Sequence, residues 1–457
     1  MSEWKKVKIG DFLTEREGRY KPDDSKISKY KRLDKIDFSG TIHISDKPTK
    51  TDMIIVHPGD LVISGINVAK GAVAVYQGDE PVCATIHYSS YTFDSSKVDL
   101  DYFKYFVKSP AFIAALQKQV KGGIKTEIKP KHLLPLEISI PDLQTQQEIV
   151  KKISLQLKKT EQLSVEIESQ KNYIKQLRQN ILQEAIEGKL TADWRKQNPV
   201  QKGNPDYDAE ALFERIQKEK YHTDSILLTQ NQDKKKKGKS LDFPNPCDNE
   251  EKPFAIPDGW KWVRLGEIIK EPPRNGYSPK AVDFETPIKT LKLGAVTYGI
   301  FAPNEYKYIN EEIPKDAYCW LKNGDFLIER SISVEYVGIC AIYTGKDNEF
   351  MYPDLLMRFR TQDVLLKQYI HTALISPFNR SYFMSKAKGA QKTMPKINQE
   401  CVVNTMIPLP PLKEQEEIVN KVETLLAKVA TLENQIQERK TLSEKLAFGI
   451  IKEKLEG

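Results

Sequence analysis

The chain has 457 residues, of which 29% are charged and 39% apolar, and its formal net charge is +7. That length exceeds one ordinary core, so two or three domains are expected, and the mild positive charge permits nucleic-acid binding without establishing it. No apolar run could cross a bilayer, no secretory signal follows Met1, and the five scattered cysteines form no C-x-x-C pair, which reads as a cytosolic chain without disulfides or zinc.

Residues 1–143 alternate short apolar runs with turns, as a compact mixed α and β domain does. Asp52 to Ser64 reads as two strands around the Pro58-Gly59 turn, and Gly71 to Tyr76 as another strand. From Asp101 to Val120 the spacing of Tyr102, Phe103, Phe106, Phe112, Ile113 and Leu116 is helical, with a break at Ser109-Pro110.

Residues 144–188 read as one long helix and its end, about 65 Å in extent. Ile153, Leu163, Ile167, Ile174, Leu177 and Ile181 follow the 3–4 alternation of a coiled-coil seam, interrupted by Gln156, Thr160 and Gln170. Residues 189–255 form a polar connector, with a short helix expected between Tyr207 and Lys220 and a low-complexity lysine run at Lys234–Lys239.

Residues 256–411 then repeat the first domain. Trp260-Lys-Trp-Val-Arg-Leu-Gly266 matches Trp4-Lys-Lys-Val-Lys-Ile-Gly10, Gly324-Asp325 matches Gly59-Asp60, and Ser376-Pro377 matches Ser109-Pro110. Residues 412–457 repeat the helix, with a seam of Val422, Leu425, Val429, Leu432, Ile436, Leu446 and Ile450 and polar breaks at Arg439 and Ser443. Both helices open on the same box: Pro141-Asp-Leu143-Gln-Thr-Gln146 with Ile149-Val150, and Pro410-Pro-Leu412-Lys-Glu-Gln415 with Ile418-Val419. The offset between copies stays at 269, from Ile149 and Ile418 to Gly188 and Gly457, so the helices have equal length. Equal helices in one chain favour an intramolecular pair, because the closing cost of the intervening chain is small against a seam of this size. An antiparallel pair places the domains at opposite ends about a pseudo-two-fold, and a parallel pair crowds them; the antiparallel arrangement is expected.

Enzyme chemistry finds little support. Gly238-Lys239-Ser240 resembles the end of a phosphate loop, but Asp233 stands where its first glycine is needed. The six histidines have no metal-ligand spacing, and no Asn/Asp-Pro-Pro-aromatic motif of an amino-methyltransferase is present.

The duplicated boxes, the Trp-x-x-Val-x-x-Gly openings, the Gly-x-x-Lys-Thr loop of the first half with its Lys388–Thr393 counterpart, and the Ala185-Ile-Glu-Gly-Lys-Leu-Thr191 helix end resemble the specificity subunit of Type I restriction–modification systems. The resemblance implies an α+β fold: two target recognition domains separated by two spacer helices in an antiparallel intramolecular coiled coil. It implies a non-catalytic subunit that reads a bipartite sequence in double-stranded DNA and recruits two methyltransferase subunits and the restriction (motor–nuclease) subunits. No cofactor is expected on this chain; the methyl donor, ATP and magnesium belong to those partners. The second copy ends at Gly457 where the first continues Lys189-Leu-Thr, so that tail's contact is expected to be missing or replaced.

Base reading needs donors and acceptors on exposed loops, with lysines and arginines on phosphates. In the first half the candidates are Arg16, Arg19, Tyr20, Lys21, Asn67, Lys70, Lys121, Lys125 and Thr126. In the second half they are Arg274, Asn275, Tyr277, Lys280, Arg330, Ser331, Lys388, Gln391, Lys392 and Thr393. The competing expectation is a coiled-coil adaptor whose duplicated domains bind proteins.

Overall fold

The computed structural model describes residues 4–37, 40–66, 72–107, 109–119, 129–230, 252–331, 333–387 and 395–456. The chain divides into two compact units, residues 1–170 with 436–457 and residues 171–435. Each unit therefore takes a globular domain and a part of both long helices, which run from Leu143 to Ile186 and from Leu412 to Glu456.

In the first unit, Lys5–Lys8 pairs antiparallel with Glu137–Ile140. One four-stranded sheet has the order Leu13–Glu15, Tyr88–Phe93, Leu61–Ser64, Val73–Val75. A second has the order Ile42–Ser45, Arg32–Ile36, Val82–Thr85, Met53–Val56. The two strands flanking Pro58-Gly59 belong to different sheets, so that turn carries the chain between sheets instead of closing a hairpin. The expected helical stretch is two helices, Leu100–Phe106 and Pro110–Gln119. Buried Ser109 accepts from Phe112 N–H at 3.2 Å, and Pro110, which has no N–H to leave orphaned, follows it. Phe12, Phe103, Phe106 and Phe112 fill the core together with Ile153 and Leu455 from the long helices.

In the second unit, Lys261–Arg264 pairs antiparallel with Met406–Leu409. A four-stranded sheet runs Ile269–Asn275, Leu356–Thr361, Phe326–Glu329, Cys340–Ile342, beside a three-stranded sheet of Ala281–Val282, Tyr306–Ile309 and Ile288–Leu291. The connector contributes helices Ala192–Gln197 and Ala209–Gln230, the latter longer than expected. Gly188, at φ +71, ends the first long helix in the left-handed conformation that favours glycine.

The repeated glycine–aspartate turns are built identically. Gly59 and Gly324 have φ of +85 and +86. Each donates its N–H at 2.8 Å to a tyrosine carbonyl, that of Tyr76 or Tyr343. The aspartate that follows closes the turn through its carboxylate, which accepts from His57 N–H at 2.9 Å in one copy and Lys322 N–H at 2.8 Å in the other.

The boxes that open the long helices form equivalent joints. Gln146 and Gln415 are buried. The Gln146 amide donates to Pro141 O at 2.8 Å and accepts from Asp99 N–H at 2.8 Å. The Gln415 amide donates to Pro410 O at 2.9 Å and accepts from Leu366 N–H at 3.2 Å. Asp99 and Leu366 are the N-cap residues of equivalent domain helices, Leu100–Phe106 and Lys367–Ile375. Glutamine suits this place because its planar end carries both a donor and an acceptor: it takes the N-cap N–H that the domain helix leaves orphaned and the carbonyl of the proline ahead of the long helix. Stripping either amide would leave buried polar groups unpaired, at about 1–3 kcal/mol each.

The second joint has a further latch. Buried Glu414 accepts from Thr191 Oγ1 at 2.6 Å, Trp260 Nε1 at 2.7 Å and the Arg195 guanidinium. Thr191 and Arg195 come from the tail that follows the first long helix. In the first box Thr145 stands at this position, and both its N–H and its hydroxyl donate to Asp142, each at 2.9 Å, which draws the Asp142 carboxyl below its ordinary range.

Within each unit the helix segments run antiparallel. In the first, Ile153 and Leu455 share a core while Arg439 donates to Gln170 at 3.0 Å. In the second, Arg178 pairs with Glu433 at 3.1 Å and Lys421 donates to Leu190 O at 3.0 Å. Gln170 and Arg439, expected as separate interruptions of two seams, are partners and are each other's repeat equivalents. The seam is narrower than expected. Ile153, Ile167, Ile174, Ile181, Val422, Val429 and Ile436 are buried, as is Ser443, whereas Leu177, Leu432 and Leu446 are exposed and Leu163, Leu425 and Ile450 half-buried. The buried row recurs every seven residues, and Leu177, Leu432 and Leu446 fall on its exposed flank.

Candidate nucleic-acid interface

The second unit carries an open cleft of about 820 Å³, lined by residues from four segments. Arg264 ends the first strand of that domain. Arg330 follows Phe326–Glu329, with its N–H on Leu355 O at 2.9 Å and its carbonyl accepting from Ile397 N–H at 3.1 Å. Tyr382 and Lys386 stand on the helix Pro377–Ala387, and Lys396, Asn398, Glu400 and Asn404 lie on and around the helix Gln399–Val403.

The wall is rigid where it meets backbone. Asn398 caps its helix by accepting from Cys401 N–H at 2.8 Å, the Asn404 amide donates to Glu400 O at 2.9 Å, and the Tyr382 hydroxyl donates to Cys401 O at 3.2 Å. Burial pushes the Cys401 thiol up to about 11, so it is a packed thiol and not a nucleophile. Arg264, Arg330, Lys386 and Lys396 face Glu400 as the carboxylate among the lining residues. Such an excess of cations attracts a polyanion, and its lysines and arginine forks can hold phosphate oxygens.

Behind Arg330 sits a buried acid. Glu329 is fully buried; one carboxylate oxygen accepts from Thr297 Oγ1 at 2.7 Å and the other has no partner among the described residues. Burial raises its pKa to about 7, against the opposing pull of the Thr297 hydroxyl and the Arg380 charge.

Of the residues expected to meet DNA, Arg330 lines this cleft. Ser331 does not reach solvent: it is fully buried and its hydroxyl donates to Pro395 O at 3.1 Å, because the chain pairs there with Lys396 in an isolated bridge. Its assignment as a DNA contact is corrected accordingly. Arg274, Asn275, Tyr277 and Lys280 lie apart from the cleft lining. The Arg274 guanidinium stacks 3.5 Å over the Tyr318 ring, Tyr277 donates to Glu311 at 2.8 Å, and Lys280 is exposed. In the first unit Arg16 is committed to buried Asp60 at 2.6 Å, Lys21 lies 3.3 Å from Asp52, Tyr20 packs on the Ile27, Met53 and Cys83 cluster, and Arg19 is exposed. Asn67, Lys70, Lys121, Lys125, Thr126, Lys388, Gln391, Lys392, Thr393 and the Lys234–Lys239 run lie outside the described residues.

Sequence reasoning missed Arg264, Tyr382, Lys386 and Lys396. Two signals were present: Arg264 falls inside the repeated Trp-x-x-Val-x-x-Gly opening, and Lys386 and Lys396 bracket the Lys388–Thr393 segment in sequence.

Residues 1–172 and 257–439 match the model of the Type I restriction modification DNA specificity domain. The chain belongs to this family. It is 25% identical over 339 residues to the Type I restriction enzyme EcoKI specificity subunit of Escherichia coli (strain K12), an alignment covering 73% of this chain and 60% of that one. With the EcoEI specificity subunit of Escherichia coli the identity is 28% over 267 residues, covering 57% of this chain and 42% of the relative. The EcoAI specificity subunit, also of Escherichia coli, is 30% identical over 267 residues, with 57% and 41% covered. The matched part thus spans roughly two-fifths to three-fifths of the length of these relatives.

Among solved structures, the HsdS subunit from Thermoanaerobacter tengcongensis superposes with a TM-score of 0.51 at 17% identity, covering 100% of this chain and 97% of that one. A chain solved to show the structural basis of complex assembly and conformational transition of the type I R-M system gives 0.55 at 16% identity, covering 99% and 97%. The fold of a specificity subunit, two similar mixed domains with paired long helices, is shared with both.

Proposed function

We propose that this chain is the DNA-recognition subunit of a Type I restriction–modification complex, working in the cytoplasm. Each globular domain reads one part of a split target in double-stranded DNA, and the paired helices hold the two parts at a set distance. Two methyltransferase subunits and the restriction subunits dock on this scaffold and supply the methyl donor, ATP and magnesium chemistry, while the chain itself transfers no group. The observation that carries the proposal is the duplication: one joint built twice from the same glutamine-to-backbone bonds, each releasing a helix, of 44 and 45 residues, with a cationic cleft in the second domain.

In the second domain Arg330, Arg264, Lys386 and Lys396 hold phosphates. The divergent exposed loops, including Arg274 and Lys280 and, in the first domain, Arg19 and Lys21, supply base contacts. The test is to map methylated sites in DNA from cells carrying the chain with its companion subunits, then replace residues 256–405 with the corresponding domain of a relative. One half of the methylated motif should change and the other should persist. Loss of both halves, or of neither, would refute two independent readers, and unchanged methylation without this gene would favour an adaptor.

A further inference from the structure

We infer that Gln146 and Gln415 are positioning residues that lock the exit angle of each long helix to its own domain, and so set the tolerance in the distance between the two half-sites. The inference rests on the DNA-reading function proposed above and adds a residue-level device to it.

Three observations support it. The two glutamines are buried in a box that otherwise exposes much of its polar surface. Each spans two independent elements, the extended segment ending in Pro141 or Pro410 and the N-cap of a domain helix, Asp99 or Leu366. Both copies use the same donor and the same acceptor for the same partners, although Asp99 and Leu366 share no side-chain chemistry. A bond to one element alone would restrain the helix start in fewer directions than bonds to two. Bonds from one planar amide to two elements fix the helix start in both tilt and rotation.

The leverage is large. The first long helix has 44 residues and so extends about 66 Å, over which a tilt of about 5° moves the far end about 6 Å. That displacement approaches two base-pair steps of about 3.4 Å along a DNA strand. A joint loosened by a few degrees therefore blurs a gap of fixed length without touching any group that meets a base.

The experiment uses the full chain and its Gln146→Met and Gln415→Met variants. Methionine keeps the length of the side chain and removes both bonds, and Gln146→Glu and Gln415→Glu keep the acceptor while removing the donor. A random-sequence duplex library is selected on each protein and the enriched sequences are read for half-sites and gap length. Wild type should enrich one gap. The methionine variants should keep both half-sites and lose at least tenfold discrimination between that gap and gaps one base pair longer or shorter, with the glutamate variants intermediate. Unchanged discrimination, or loss of one half-site's bases, overturns the inference.

A second readout needs no DNA. Spin labels at Lys97 and Lys158 report the first joint, and labels at Lys322 and Lys428 the second. Each distance distribution should be narrow in wild type and broader in the methionine variant of the same joint, with helix content unchanged by circular dichroism. If wild type enriches no bipartite sequence, the DNA-reading function fails, and these distributions still decide the role of the clasp. Distributions that stay narrow sink it.

Discussion

The two domains share a turn and differ in what neutralises it. Asp60 and Asp325 close equivalent turns and are both almost fully buried. Around Asp60 the partners are Ser90, donating at 2.8 Å, and Arg16 at 2.6 Å. Around Asp325 they are the Arg360 guanidinium and, more distantly, Arg358 at 3.9 Å, and both arginines also reach Glu271. Ser90 faces Val62 across its ladder as Arg358 faces Leu327, so a serine in one domain holds the register position of an arginine in the other. Burial works against ionised Glu271, but Arg358 and Arg360 hold its carboxyl below the ordinary range. The backbone bonds of the turn are common property; the charges packed against it are free to change, provided each buried carboxylate keeps a partner.

The largest separation between the domains should come from that turn. Asp325→Ala strands Arg360 beside a single remaining carboxylate and should cost the second unit about 3–5 kcal/mol. Asp60→Ala releases Arg16 toward solvent and should cost the first unit about 1–3 kcal/mol. Hydrogen exchange of the strands Phe326–Glu329 and Leu61–Ser64 would measure each unit separately. Equal losses would mean that the ion-pair network adds nothing beyond the turn.

Glu329 offers a second contrast, because Ser64 holds the equivalent strand position in the first unit. The native pKa of about 7 lies above that of the unfolded chain, so protonation favours the folded state. Its stabilising effect is complete below about pH 4.5 and is lost as pH rises through about 7, on the order of 3 kcal/mol. Unfolding of the second unit should show this decline between those limits, and Glu329→Gln should flatten it. The same slope in the variant would assign the decline to another group.

A smaller effect is expected at the cleft. Lys386→Ala and Arg330→Ala should each weaken DNA binding and lower its salt slope by about 1. Arg16→Ala, whose guanidinium is already engaged by Asp60, should change the slope by less. Titrations of labelled duplex at several salt concentrations separate these outcomes.

The smallest concerns the helix pair. Replacing Gln170 and Arg439 together by leucine should raise thermal stability slightly, by about 1 kcal/mol or less, since an exposed polar pair contributes little. Cysteine cross-linking at positions along the two helices should then reveal added registers, where wild type gives one.

Much of this architecture was legible because duplication writes the same constraint twice. The Pro-x-Leu-x-x-Gln box, the Gly-Asp turn and the Ser-Pro helix start each recur with intact spacing, and each proves to be a place where side chain and backbone bond to each other. What the sequence hid depends on the third dimension. Ser331 looks like a loop serine beside an arginine, and only its bridge to Lys396 buries it. Lys386 and Lys396 lie ten residues apart in sequence, and line one cleft together with Arg330. Leu177, Leu432 and Leu446 fit a heptad, yet they stand exposed, because the pair meets along the row of Ile167, Ile174, Ile181, Val429 and Ile436.

The glutamine clasp has an evolutionary consequence. On the domain side it touches only a peptide N–H and a proline carbonyl, atoms that any sequence of the same backbone supplies except for the proline itself. Either domain could diverge across nearly its whole surface and still meet the helix through the same two bonds. The joint behaves as a standard coupling: the domain surface can change while the bonds that hold the helix start stay the same.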